Sequence, residues 1–144
     1  MVSAVAGDVT IQRSNVPGLA EPPGYTHVAA VSGARLVFLA GQVPLDRHGE
    51  LVGPGDHLAQ TARCLENLAA ALEAAGATPR DAVRTTVYVV ASEQEDMGRV
   101  WRAIHASDLG DVVRTAATLV GVARLGYSGQ LVEIEVTVAL AGAG

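Results

Sequence analysis

Two glutamates, Glu133 and Glu135, stand near the end of the stretch Arg114 to Leu140, where the chain concentrates its strongest pattern. From Leu131 to Leu140 the even positions Val132, Ile134, Val136, Val138 and Leu140 are apolar, whereas the odd positions carry Glu133, Glu135 and Thr137. A period of two is that of a strand with one buried face, so both carboxylates project from the other. In a cleft at a subunit interface such a carboxylate can position a water or take its proton. The same pattern also describes a solvated strand face, and periodicity does not choose between the two.

Other chemistry is sparse. His27, His48, His57 and His105 show none of the paired spacings of a metal site, so no metal is expected. No GxSxG, P-loop or GxGxxG signature is present. Cys64 is the single cysteine, which excludes an intramolecular disulfide. It falls beside the apolar stripe of a predicted helix, and no pattern of basic neighbours argues for an activated thiolate.

Composition narrows the classes further. At 144 residues one domain over 1–144 is expected. Hydrophobic residues make up 49% and charged residues 17%, more apolar material than a lone monomer of this size needs, which points to oligomerisation. The net charge of -5 and the scattering of the ten Lys plus Arg residues leave no positive footprint for a phosphate backbone, so nucleic-acid binding is not expected. Apolar runs fall short of the roughly 20 residues of a membrane span. The opening MVSAVAGDV lacks the basic and apolar regions of a signal peptide, and a cytoplasmic location is the expectation.

The elements that must position the glutamates follow from local pattern. Val9 to Arg13 reads as a strand, and Pro17, Pro22, Pro23 and Gly24 then enforce an irregular connection. His27 to Val31 and Arg35 to Gly41 are β-like runs separated by Ser32, Gly33 and Ala34, a hairpin spacing. Asp56 is a good N-cap for a helix carrying Leu58, Ala62, Leu65, Leu68, Ala69 and Leu72 on one side and Gln60, Arg63, Glu66 and Glu73 on the other, stopped at Gly76. Ala82 to Val90 is a β-branched strand. Ser92 with Glu95 predicts a capping box for a second helix whose buried side is Met97, Val100, Trp101 and Ile104 and whose end is Gly110. Ala116 to Leu125 and Leu131 to Leu140, joined through Gly126, Ser128 and Gly129, predict a C-terminal antiparallel hairpin.

The sum is an α+β domain of about six strands in a mixed sheet, with two helices on one face. Val37, Leu39, Val43, Val87, Val89 and Leu119 leave little polar material for a wet second face, so subunit packing is expected there.

Several segments carry a resemblance. GYTHVAAV at Gly24 to Val31, LAGQVPLDRHGELV at Leu39 to Val52, AQTARCLENLAAALEAAGATPRDAVRTTVYV at Ala59 to Val89, and VGVARL with VEIEV near the end resemble the RidA/YjgF family, whose members are also labelled L-PSP endoribonucleases. The resemblance runs in order over about Val9 to Leu140. It implies a chorismate-mutase-like fold, a homotrimer with clefts between neighbouring subunits, and a small-molecule substrate or ligand in those clefts. For the best-known branch it implies hydrolysis of 2-imino or enamino acids to 2-keto acids and ammonia, without metal or organic cofactor.

Position by position, the glutamate that orients the attacking water falls on Glu133 and the cleft aromatic on Tyr25. Gly41 with Gln42 matches a Gly-Gln pair at a strand end. The arginine that clamps the substrate carboxylate in the deaminases falls, by alignment on Val122 to Leu125, on Ala117. Alanine offers no donor in its place, which should weaken binding of a carboxylated imine by on the order of 2 to 5 kcal/mol. Backbone groups around Thr118 and Leu119 are candidates to bind a carbonyl or oxyanion. An asparagine of the family falls on Gly98. Arg114 and Arg124 are the two arginines near enough in sequence to replace the clamp. Three functions follow from these residues: a cofactor-free hydrolase of imines, enamines or related carbonyl-nitrogen compounds with altered substrate preference, a non-catalytic metabolite-binding trimer, and, from the label alone, a ribonuclease.

Overall fold

A computed structural model describes residues 8–142; residues 1–7, which begin the stretch read above for a leader, lie outside the described residues. The described residues form, in order, β1 (Thr10–Ser14), β2 (Val28–Ser32), β3 (Ala34–Phe38), α1 (His57–Ala75), β4 (Ala82–Val89), α2 (Gln94–Ala106), β5 (Ala116–Gly121) and β6 (Val132–Ala141). This is the expected α+β class, with six strands and two α-helices.

α1 begins and ends where its caps dictate. The Asp56 carboxylate accepts from the amides of Leu58 and Ala59, each at 3.0 Å, and Gly76 takes the left-handed conformation, φ 73°, that terminates the helix. α2 does not form the predicted capping box. Its N-cap is Glu93, with no side-chain cap, and it ends at Ala106 with Ser107 as C-cap rather than at Gly110, which opens a separate 3-10 turn. A capping box does occur at Thr78 and Asp81, ahead of β4.

Strand pairing departs most from the local reading. The four-stranded sheet has the order β3-β6-β4-β5, and among the described residues β1 pairs with β2 in a separate two-stranded ladder. β5 runs parallel to β4, whereas β6 is antiparallel to both β4 and β3. The two predicted hairpins are therefore absent: β4 lies between β5 and β6, and β2 and β3 belong to different ladders. Turn residues report that the chain bends, and say nothing of which strand fills the space alongside.

The register sorts side chains cleanly. Val87 and Val89 of β4 and Val132, Ile134, Val136 and Val138 of β6 are buried against Cys64, Leu68 and Leu72 of α1 and Val100 and Ile104 of α2. Both helices thus cover one face, and the alternation of β6 is borne out. Val37, Leu39, Val87, Val89 and Leu119, expected above to face a second subunit, instead belong to this helix-covered core. The opposite face instead presents Leu36, Phe38, Thr86, Tyr88, Glu133 and Glu135.

Cys64 lies fully buried, and its thiol contacts the Val132 carbonyl at 3.6 Å. Burial, together with the negative charge of Glu133, pushes its pKa up to about 12, so the residue is a packing element and not a nucleophile. Gln60, read from the helical wheel as a surface residue, is fully buried.

Candidate functional site

The proline-rich loop ahead of β2 is drawn onto α2 and β5 by specific bonds. The indole of Trp101 donates to the Pro23 carbonyl at 3.1 Å, and the Thr26 amide donates to the Thr115 carbonyl at 2.9 Å, making a parallel bridge with Ala116. Gly24 holds φ 94°, and a side chain there would run into the His105 imidazole, so glycine is required on both counts. Tyr25 is thereby placed edge-on to Trp101, ring centroids 6.5 Å apart, and Trp101 in turn edge-on to His105 at 5.0 Å.

Between this aromatic wall and β5, the outer strand of the sheet, lies a cleft of about 1400 Å³. Gln94, Gly98, Trp101 and His105 reach it from one stripe of α2, with Glu95 and Arg102 on the flank, and Ala117, Thr118 and Leu119 reach it from β5. Ala117 pairs in register with the buried Thr85, and with Leu119 it belongs to the helix-covered side, where the floor is apolar. Thr118 pairs with Thr86, and its hydroxyl accepts from Arg84 at 2.8 Å.

Glu133 sits elsewhere. It pairs with Tyr88 on the uncovered face, and its Oε1 accepts from Gln130 Nε2 at 3.0 Å. Gly41 lies directly against the carboxylate; a methyl group at that position would overlap Glu133 Oε2. Reciprocal backbone bonds between Gln42 and Ile134, at 2.8 and 3.1 Å, hold the Gly41 segment on β6. Glycine is thus the residue that lets the carboxylate lie flat on the strand. Glu135, two residues on, is exposed and accepts from the Tyr88 hydroxyl at 3.3 Å.

The residues singled out from sequence therefore form two groups. Tyr25, Ala117, Thr118 and Leu119 share the cleft, and Glu133 and Gly41 touch each other; Ala117 and Leu119 lie on the opposite side of the sheet from Glu133, whereas Thr118, in register with Thr86, is on the Glu133 side. Arg114 does not line the cleft: it bonds Asp111 at 3.0 Å and the His105 carbonyl at 2.9 Å, where it ties the end of α2 to the following turn. Arg124 borders a separate, smaller hollow with Tyr127 and Gln130. Among the described residues, no three His, Cys, Asp or Glu side chains are grouped to hold a metal ion, and no helix is long and apolar enough to cross a membrane.

Sequence reasoning assigned Trp101 to the core and passed over Arg102 and His105. The available signal was the 94, 98, 101, 105 spacing, a second helical stripe beside the buried one. His105 Nε2 is buried with no hydrogen-bond partner. Burial first, and the positive charge of Arg114 second, hold its pKa below the usual 6.5. In this pH range the unfolded chain then binds more protons than the folded one, so stability rises with pH and falls as pH drops through 6.5 and below. His105→Gln is expected to flatten that slope, as measured by urea unfolding at pH 5, 6 and 7.5; an unchanged slope would assign it to other groups.

Comparison with known proteins agrees with the motifs. The sequence model described as Endoribonuclease L-PSP matches residues 19–140. A RutC family protein of Pyrococcus horikoshii is 36% identical over 107 residues, covering 74% of this chain and 80% of that one. The 2-iminobutanoate/2-iminopropanoate deaminase of Escherichia coli is 36% identical over 81 residues, 56% of this chain and 59% of the deaminase. A crystal structure of a Rid-family protein of unknown function from Yersinia pestis superposes with a TM-score of 0.77 at 35% identity, covering 90% of this chain and 98% of that one. With a family model spanning most of its length and a fold shared with solved Rid proteins, the chain belongs to the RidA/YjgF family.

Proposed function

We propose that this protein is a cofactor-free hydrolase of imines, enamines or related small carbonyl-nitrogen metabolites, with a substrate preference altered from that of the 2-imino acid deaminases. The observation that carries the reading is Glu133, half-buried, oriented by Gln130 and given room by Gly41. In that role Glu133 takes a proton as water adds to the C=N carbon, and the nitrogen is protonated and leaves as ammonia, so that imine and water become carbonyl compound and ammonia. Tyr25 and Trp101 wall the cleft, and Ala117 leaves its floor without the carboxylate clamp of the deaminases.

The two groups of residues meet only if a second copy brings its Glu133 face to the first copy's cleft. The reading therefore includes a homo-oligomer, a trimer by analogy with the family. Its support is the uncovered sheet face, where Phe38 is 75% and Leu36 48% exposed. Apolar side chains clustered this way mark an interaction surface.

Ala117→Arg tests the substrate half of the proposal. On a freshly generated 2-imino acid the variant is expected to gain roughly tenfold or more in kcat/KM, since a charge-assisted contact to a carboxylate contributes about 1.5 to 3 kcal/mol. No gain, with ammonia release also absent on neutral imines, would favour the alternative of a metabolite-binding oligomer. A ligand-dependent rise in melting temperature without turnover would identify that case.

A further inference from the structure

α2 carries a glycine in its interior that its own fold does not call for. Gly98 lies in the second turn of a thirteen-residue helix, where glycine is less favourable than alanine because it has more backbone freedom to lose. It has no positive φ. The heavy atoms close to where its Cβ would stand are all from one group, the guanidinium of Arg102, with Nη1 at 2.9 Å. The missing side chain is thus the space in which the Arg102 head lies against the helix, at the wall of the cleft that contains Tyr25, Trp101 and Ala117.

A second observation concerns charge. Arg102 and Glu95 are the charged side chains that line the cleft alongside neutral and aromatic groups, and they hold each other through Nη2 and Oε1 at 2.7 Å. Both are well exposed, 63% and 73%, so their pair is easily exchanged for another partner. A guanidinium presents five donors in a planar fork. One of its edges is taken by Glu95, and Nη1 is directed over Gly98. The opposite wall, β5, supplies no cation at Ala117.

We infer that Arg102 is the anion anchor of this cleft, set on the helix wall instead of the strand floor and seated in the gap left by Gly98, and that it selects ligands bearing a carboxylate. Glu95 is its resting partner and competes with the ligand for it. This rests on the cleft's being the ligand site, as proposed above. The anchor lies across the cleft from the β5 floor, so the acid group of the ligand is held at the α2 side and the body of the ligand lies against Tyr25, Trp101 and Leu119.

The test is equilibrium binding by calorimetry of stable carbonyl compounds to the intact protein, which separates the anchor from the chemistry. The probes are 2-oxobutanoate and 2-oxoglutarate, with 2-butanone as the neutral control. Arg102→Ala is expected to weaken the two acids by roughly ten- to hundredfold and to leave the ketone unchanged, since removing a charged hydrogen-bond donor has that size of effect. Arg102→Lys should recover part of the loss, because it restores charge without the fork. Glu95→Gln should tighten the acids. Gly98→Ala should raise the melting temperature yet weaken the acids, by pushing the guanidinium from its seat, a combination that a merely structural role would not produce. Acids that bind the parent and Arg102→Ala equally well, or that do not bind the parent at all, overturn the inference. Binding that follows this pattern without ammonia release from any imine would leave the anchor standing and remove the hydrolase reading.

Discussion

Glutamine at position 133 is expected to lower imine hydrolysis by on the order of 10² to 10⁴ in kcat, the usual contribution of a positioned general base. The substitution is informative because it removes charge and basicity while keeping shape. Gln130 Nε2 donates to Glu133 Oε1 at 3.0 Å, and a glutamine oxygen can accept the same bond. Gly41 leaves room for an amide as for a carboxylate. The fold should therefore persist, and circular dichroism and melting should match the parent. Gly41→Ala provides the complementary case, in which the carboxylate is retained but its place on the strand is filled. That variant should lose activity to a similar degree, with Glu133 still in the sequence. Turnover by Glu133→Gln at the parental rate would show that proton transfer is done elsewhere. In that event Tyr25 and His105, which line the opposite group, become the candidates. Mixing Glu133→Gln with a cleft variant such as Tyr25→Ala adds a further readout. If the site is shared between copies, mixed oligomers regain part of the activity that each parent variant lacks.

What the sequence made legible was mostly local. Asp56 and Gly76 mark the ends of α1, the even positions of β6 mark its core face, and the apolar stripe around Cys64 marks its burial. Each depends on residues within a few positions of one another. The failures share the opposite character. Gly126, Ser128 and Gly129 suggested a hairpin, yet β4, more than forty residues upstream of β6, occupies the position between β5 and β6. That insertion decides which face each site residue joins. With β5 parallel to β4 and β6 antiparallel to it, Ala117 and Glu133 are held to opposite sides, and neither alternation pattern alone contains that fact. Arg102 escaped notice for a related reason. A Glu and an Arg on one helix resemble a solvated face, and only the loop folded down by Trp101 and Thr26 turns that face into a cleft wall. Gly98 was visible as a departure from the family pattern, but its meaning depends on where the Arg102 side chain lies.

Gln60 shows how much stability can rest on a residue that a helical wheel assigns to water. It is fully buried, and all of its amide is used: Nε2 donates to the carbonyls of Gly53 and Gly129 at 3.1 and 3.0 Å, and Oε1 accepts from the Leu131 amide at 2.7 Å. These bonds join the loop before α1 to the turn that leads into β6, and so fix the strand that carries Glu133. Gln60→Leu keeps the volume but leaves a buried donor and two carbonyls without that partner. Each unsatisfied buried group costs about 1 to 3 kcal/mol, so a total loss of about 3 kcal/mol or more is expected. Urea unfolding at matched protein concentration should show a lower midpoint with an unchanged slope. Glu66→Ala, on the same helix, removes the exposed partner of Arg63 and should change stability by less than about 1 kcal/mol. Gln60→Glu separates the two halves of the amide: its carboxylate can still accept from Leu131 but meets two carbonyl oxygens where donors stood, and it should be as damaging as leucine. A leucine variant as stable as the parent would mean that water enters to satisfy the backbone, and that the turn before β6 does not depend on Gln60 for its position.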